Sequence, residues 1–311
     1  MKSGGRWSRQ GSDEGIRHGW AVDADARFAM TIAVPITCAV VLAAVIFILG
    51  RRAQRQAVGS LAAALEKASK VKTSLVLDSI DYDSLPPPVQ RYLHKALPDG
   101  CKTIGLAHLR QEGRLRTDAK SERWMPFTAV QAIAPTAAGF LWDARVGVIP
   151  GFHIQVLDSL IDGRGAGQVS LLSVIRIASD GGTPQMNSGA LHRFLAEAVW
   201  SPTALLPSET LSWSPIDDSM ACATLTANGV SVSLEFRFNA AGEVVGIFTP
   251  GRWGSFGGRY SQKPWEGHFR EYVTVQGMRV PTHGEVGWYD DGVWGRVWEG
   301  TLLEAKYDFK S

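Results

Sequence analysis

The side chains able to do chemistry are scattered along the chain. Seven histidines stand at positions 18, 94, 108, 153, 192, 268 and 283. No two have H-x-H or H-E-x-x-H spacing, so a metal site would need assembly from distant segments, and none is expected. Cys38, Cys101 and Cys222 form no C-x-x-C, which leaves neither a disulfide framework nor a zinc site. The run Gly163-Arg164-Gly165-Ala166-Gly167 leads into Val169-Ser170-Leu171-Leu172. That is a strand pattern, so no helix N-terminus is offered to a phosphate and the run reads as a turn. Ser255 follows Trp253-Gly254 and lacks the G-x-S-x-G context of an esterase. Ser69-Lys70-Val71-Lys72 matches S-x-x-K, but neither S-D-N nor K-T-G follows it. No cofactor is indicated.

What remains is charge embedded in apolar runs. In Phe140-Leu141-Trp142-Asp143-Ala144-Arg145-Val146, a period of two puts Asp143 and Arg145 on one face and Trp142 on the other. The two charges then either interact on a solvated face, where such pairs are individually weak, or line a pocket. Arg193 and Glu197 are spaced i, i+4 on one helix. If that helix lies inside a curved sheet, the pair is partly buried and each charge needs the other. Trp142, Trp200 and Trp265 are core residues or the walls of a cavity. The candidate binding residues are therefore Trp142, Asp143, Arg145, Arg193, Glu197, Trp200 and Trp265.

The elements that must position them follow from pattern. Phe28 to Gly50 carries no charge and is long enough, as a helix, to cross a hydrocarbon core of about 30 Å. It is too long for the apolar region of a signal peptide, and it ends in Leu49-Gly50-Arg51-Arg52 rather than in small residues. A single membrane span is expected at 28–50, preceded by a disordered polar tail at 1–27. A translation start at Met30 would remove that tail. Arg51, Arg52, Arg55, Lys67 and Lys70 follow the span, against Arg9, Arg17 and Arg27 before it, which favours a cytoplasmic soluble part. Residues 51–84 form a helical stem and linker, with Leu61, Leu65, Ala68 and Val71 at helical spacing.

Residues 85–311 form one β-rich domain. Leu85-Pro86-Pro87-Pro88 precedes a short amphipathic helix whose stripe is Val89, Tyr92, Leu93, Ala96 and Leu97. Strands follow at 104–116, 124–133, 139–148, 152–161 and 169–178, each bounded by Gly, Pro or Asp. A second helix is expected over Gly189 to Leu206, striped by Leu191, Phe194, Leu195 and Ala198. A second strand series starts at Ala221, and its clearest member alternates Val230, Val232, Leu234, Phe236 and Phe238 with polar residues. Strands at 243–248, 268–275, 279–289 and 293–309 complete it, joined by short turns that imply an antiparallel meander. The fold class is α+β: a transmembrane helix, then a large curved antiparallel sheet, an open or half barrel, with two helices packed in its concavity.

Composition excludes one class of partner. Lys+Arg 32 against Asp+Glu 30 leaves +2 over 311 residues, which is no footprint for nucleic acid. Eleven tryptophans suit a sheet core or an apolar ligand cavity.

The segments LPPPVQRYLHKALPDG, WMPFTAVQ, GFLWDARV, LHRFLAEAVWSPTALLP, PWEGHFREY and VPTHGEVGW resemble, in that order over Leu85 to Phe309, a bacterial family known only as a domain of unknown function. The anchored β-rich body is also similar to lipoprotein-carrier half-barrels that hold acyl chains. The resemblance implies membership and the fold, since fold does not fix function. Three functions are consistent with this reading. One is a membrane-anchored module binding a lipid or other apolar molecule. The second is a membrane-associated, hydrolase-like enzyme using Asp143 or Glu197 as general base. The third is a scaffold for a protein partner. The bilayer is the expected partner in each.

Overall fold

The computed structural model describes residues 14–71 and 81–310. The chain divides after Arg52 into two units. The first lies on helix α1 (Glu14–Val71). From Pro35 this helix is long and apolar enough to cross a membrane, with a mean hydropathy of 2.0 and none of the apolar window buried. Ile36, Val40, Leu42 and Ile46 are all exposed there. The helix begins at Glu14, inside the stretch expected as a tail. Ala21, Ala24 and Ala26 extend a helix already nucleated by the apolar segment, at one hydrogen bond per residue fixed. Residues 1–13 and the linker at 72–80 lie outside the described residues.

The second unit holds the rest of α1, two further helices and the sheet. Helix α2 is Pro87–Ala96 and opens on proline, whose missing N–H is no loss in a first turn. Helix α3 is Pro184–Glu197. It starts earlier than expected because Thr183 caps it, its hydroxyl accepting from Met186 N at 3.2 Å. It also ends earlier, giving way to 3₁₀ turns at Ala198–Trp200 and Pro202–Leu205.

The strands are β1 (Ile104–Leu115), β2 (Met125–Ala134), β3 (Gly139–Ile149), β4 (Phe152–Ile161), β5 (Arg164–Leu171), β6 (Ile175–Gly181), β7 (Leu211–Pro215), β8 (Met220–Ala227), β9 (Val230–Phe238), β10 (Val244–Phe256), β11 (Arg259–Val275), β12 (Met278–Asp290) and β13 (Val293–Phe309). They form one 13-stranded sheet in the order β6-β5-β4-β3-β2-β1-β13-β12-β11-β10-β9-β8-β7. Every pairing is antiparallel, so the body is two meanders joined where β1 meets β13. The sheet curls into a half barrel around α3, which packs against β3, β4 and β5 on one arm and against β9 and β10 on the other. The stripes of α2 and α3 enter the same core cluster as the inward strand residues, including Val89, Tyr92, Leu195, Leu234 and Phe236.

The strand expected at 169–178 is two strands joined by a tight turn. Leu172 and Ser173 both take positive φ, at 51° and 58°. Neither is the Gly or Asn that normally announces such a turn, so no signal was visible. Nor is Gly163 to Gly167 simply a turn, because Gly165 and Gly167 lie within β5. A Cβ on Gly165 would stand 2.7 Å from Met186 O of α3. The glycine is there so that helix and sheet can touch.

Gly189 makes the equivalent approach from the helix, where a Cβ would meet Trp253 O at 2.7 Å. Gly→Ala in a helix interior ordinarily stabilises by about 1 kcal/mol. Gly189→Ala is expected to do the reverse, destabilising by about 1–3 kcal/mol through overpacking. Urea denaturation reads the sign directly.

The outer face of the sheet carries the stem. Leu65 is buried with Ala134, Ala137 and Leu141, and Val58, Leu61 and Ala68 pack beside them. Leu65→Ala is expected to destabilise the domain by about 2–5 kcal/mol, seen as a lower urea midpoint.

A candidate ligand cavity under helix α3

The inward faces of β1 to β4 place polar groups at core positions. Gln111 on β1, Gln131 on β2 and Trp142 on β3 are all buried. Trp142 Nε1 donates to Gln111 Oε1 at 3.0 Å, Gln111 Nε2 donates to Gln131 Oε1 at 3.1 Å, and Gln131 Nε2 donates to Glu197 Oε2 at 2.6 Å. Every donor in this relay points toward the Glu197 carboxylate. Its other oxygen accepts from Arg193 Nε at 2.8 Å, and Arg193 Nη1 donates to Asp158 Oδ2 at 2.8 Å. Asp158 sits directly opposite Trp142 on the neighbouring strand. The chain of bonds thus ties both arms of the meander β1 to β4 to the C-terminal turn of α3, with no member left unsatisfied.

Burial works against the charge on Arg193, but Glu197 and Asp158 more than offset it and hold its pKa above the ordinary value. Its guanidinium also lies over the rings of Phe140 and Trp142, at 4.9 and 5.0 Å.

Around this network lies a cavity of about 280 Å³, lined by Trp142, Val156, Ala196, Trp200, Trp265, Phe269, Val286 and Trp298 among others. Its aromatic wall is continuous. Trp142 meets Phe127, Phe127 meets Trp298, Trp298 meets Trp200 and Trp200 meets Phe269, with ring centroids 5.6 to 6.3 Å apart. Trp200 is fixed at both ends: its Nε1 donates to Pro281 O at 2.9 Å, and its carbonyl accepts from Tyr307 OH at 3.0 Å. A second cavity of about 390 Å³ adjoins the first and shares Asp158, Arg193 and Arg252 with it. Ser159, Gln185, Ser255 and Tyr260 make its lining more polar.

Of the residues singled out by sequence, Trp142, Arg193, Glu197, Trp200 and Trp265 come together in the first cavity. Asp143 and Arg145 do not. Period two puts them on the outer face, where Asp143 Oδ1 accepts from Gln155 Nε2 at 2.7 Å and Arg145 meets His153. Burial raises the pKa of Asp143, against the bond from Gln155 and the charge of Arg145. It borders a separate outer cleft beside Val58 and Ala62 of the stem. Glu197 has both oxygens engaged by Arg193 and Gln131, an arrangement suited to holding structure and poorly suited to taking a proton from a substrate.

Sequence reasoning missed Asp158, Gln111, Gln131 and Arg252. A signal existed for the first three, since each is a polar residue at an inward position between apolar neighbours, such as Asp158 between Val156 and Leu160. Arg252 had none. A register shift between Thr249 and Arg252 breaks the alternation of β10 just before it.

The fold and site define a class: a curled antiparallel half barrel, closed by one helix, with an aromatic cavity at its centre. The chain belongs to DUF6544, a family of unknown function whose model matches residues 76–300. Among solved structures it is similar to a putative outer membrane lipoprotein-sorting protein domain from Vibrio parahaemolyticus, at 10% identity and a TM-score of 0.37, covering 73% of this chain and 93% of that one. It is also similar to a LolA superfamily protein from Nitrosomonas europaea, at 12% identity and a TM-score of 0.33, covering 72% and 93%. A search of curated proteins gives no match.

Proposed function

We propose that this protein is a membrane-tethered binding module that holds a lipid or other apolar small molecule in the half barrel. The observation that carries this reading is the aromatic cavity of about 280 Å³ bounded by Trp142, Trp200, Trp265 and Trp298. Rings that meet mostly edge to face, with Trp142 and Trp200 fixed by hydrogen bonds, keep the cavity open, and it lies at the lower edge of the range of ligand pockets, about 300–1,000 Å³ with apolar lining and a few convergent polar groups. At roughly 30 Å³ for a water-sized group, the chamber suits one short chain or a chain end.

The tether is the uncovered apolar stretch of α1, a surface that water disfavours and a bilayer accepts. The basic residues that follow it favour the cytoplasmic side for the domain. Addition of protease to sealed spheroplasts and to inverted vesicles distinguishes the two topologies.

The binding reading is tested on the full chain in nanodiscs of zwitterionic lipid. Bromine quenches tryptophan only on close contact, so a brominated alkyl ester should quench a saturable fraction of the fluorescence. Trp200→Phe should lower that fraction. Native mass spectrometry after mild detergent extraction should show a bound apolar species. Neither saturable quenching nor a co-purifying ligand is the result that sinks this function.

A further inference from the structure

Arg252 differs from Arg193, the other guanidinium that lines both cavities. Arg193 is matched by Glu197 and Asp158 at 2.8 Å each. Among the described residues no carboxylate lies within ion-pair distance of Arg252, although it lines both chambers. Its Nε and Nη2 donate to a neutral carbonyl, Gly189 O, at 3.2 and 3.1 Å, and Nη1 has no acceptor among the described residues. The guanidinium carbon lies over two adjacent indoles, 4.5 Å from the ring of Trp265 and 5.0 Å from that of Trp288, whose centroids are 6.3 Å apart. These ring contacts and the two bonds to Gly189 O hold the guanidinium in place and leave Nη1 for another acceptor.

We infer that the occupant of the half barrel is an amphiphile with an acidic head, a carboxylate or phosphate, bound by Arg252 where the two cavities adjoin, with its apolar tail in the tryptophan-lined chamber. This rests on the apolar-ligand reading above and adds the chemistry of the head. A planar guanidinium matches either oxyanion in a two-pronged bond. Arg193 cannot take that role, because its carboxylates already occupy it. Burial, and the neighbouring charge of Arg193, depress the Arg252 pKa to about 10; it stays charged at neutral pH, and the charge of an arriving anion would work against both effects.

The test uses the full chain in zwitterionic nanodiscs and three probes with one brominated eight-carbon chain: the free acid, its methyl ester and the alkyl phosphate. The acid or the phosphate should bind at least tenfold more tightly than the ester, and which of them does so identifies the head. Arg252→Gln should remove that preference, so that the acid, the phosphate and the ester bind the variant with affinities within about twofold of one another. Equal affinity of all three probes for the natural protein overturns the inference while the apolar-ligand reading stands, and this arm needs no variant to fold. Failure of all three to bind overturns both. A preference that survives in a folded Arg252→Gln, checked by near-UV circular dichroism, overturns the assignment to Arg252.

Discussion

Arg193→Met is expected to lower the unfolding free energy by about 3–5 kcal/mol. Methionine replaces the stem of the arginine nearly isosterically, and can still lie on Phe140 and Trp142, so lost packing is a small part of this. The main effect is on Glu197, whose side chain is 16% exposed and would keep only the bond from Gln131. Asp158 is 37% exposed, and water can solvate it in place of the guanidinium, so its share is minor. The double variant Arg193→Met/Glu197→Gln removes the stranded charge as well as its partner and should recover about half of the loss, because a buried ion pair is worth little net against a neutral replacement. Urea denaturation of the four proteins in the cycle gives the coupling. A double variant no more stable than Arg193→Met would show that packing, not charge, dominates, and would remove the network from its place as the strut between α3 and the meander.

The parts of this fold that were legible are those where a period survives. Val230 to Phe238 alternates without interruption and pairs in unbroken register with β8. The opposition of Trp142 to Asp143 and Arg145 across β3 follows from the same rule. Legibility failed where a bulge or a turn without Gly reset the count. The segment Thr249-Pro250-Gly251 reads as a breaker, yet it is a bulge inside a long hairpin of β10 and β11, and it carries Arg252. The meeting of β5 and β10 across α3 was likewise invisible, because the curl sums small strand twists and bulges that leave no local residue signature. Sequence could place Arg193 and Glu197 on one helix but could not say that Asp158 faces them, for that contact depends on the curl. The polar residues that break an inward alternation, Asp158 and the two buried glutamines, are the sign to look for in such sheets: their burial is tolerable only where partners converge.

Lowering the pH from 6.5 to 4 is expected to remove about 3 kcal/mol of stability through one histidine, His192. It lies on the buried face of α3, 5% exposed, with Nδ1 donating to Ser188 O at 3.0 Å. Burial, and then the positive charge of Arg252, push its pKa down from 6.5 to about 4. Above pH 6.5 the imidazole is neutral in both folded and unfolded chains, and its contribution is fully present. Between 6.5 and 4 the unfolded chain binds a proton that the folded chain refuses, so stability falls by up to about 1.4 kcal/mol per pH unit. Below 4 both forms are protonated and the loss levels off. His283, whose pKa is also lowered chiefly by burial, acts in the same direction, whereas Asp143, with its raised value, opposes it. His192→Gln isolates the term, since glutamine has no charge to gain at any of these pH values. Its stability should vary less between pH 6.5 and 4 than that of the natural protein, by about 3 kcal/mol. Parallel profiles for the two proteins in urea would mean that the site opens to water on protonation, so that α3 is not the tightly seated lid its contacts describe. A steeper profile for the natural protein would instead tie the closure of the half barrel, and with it the retention of any ligand, to a neutral imidazole beside Arg252.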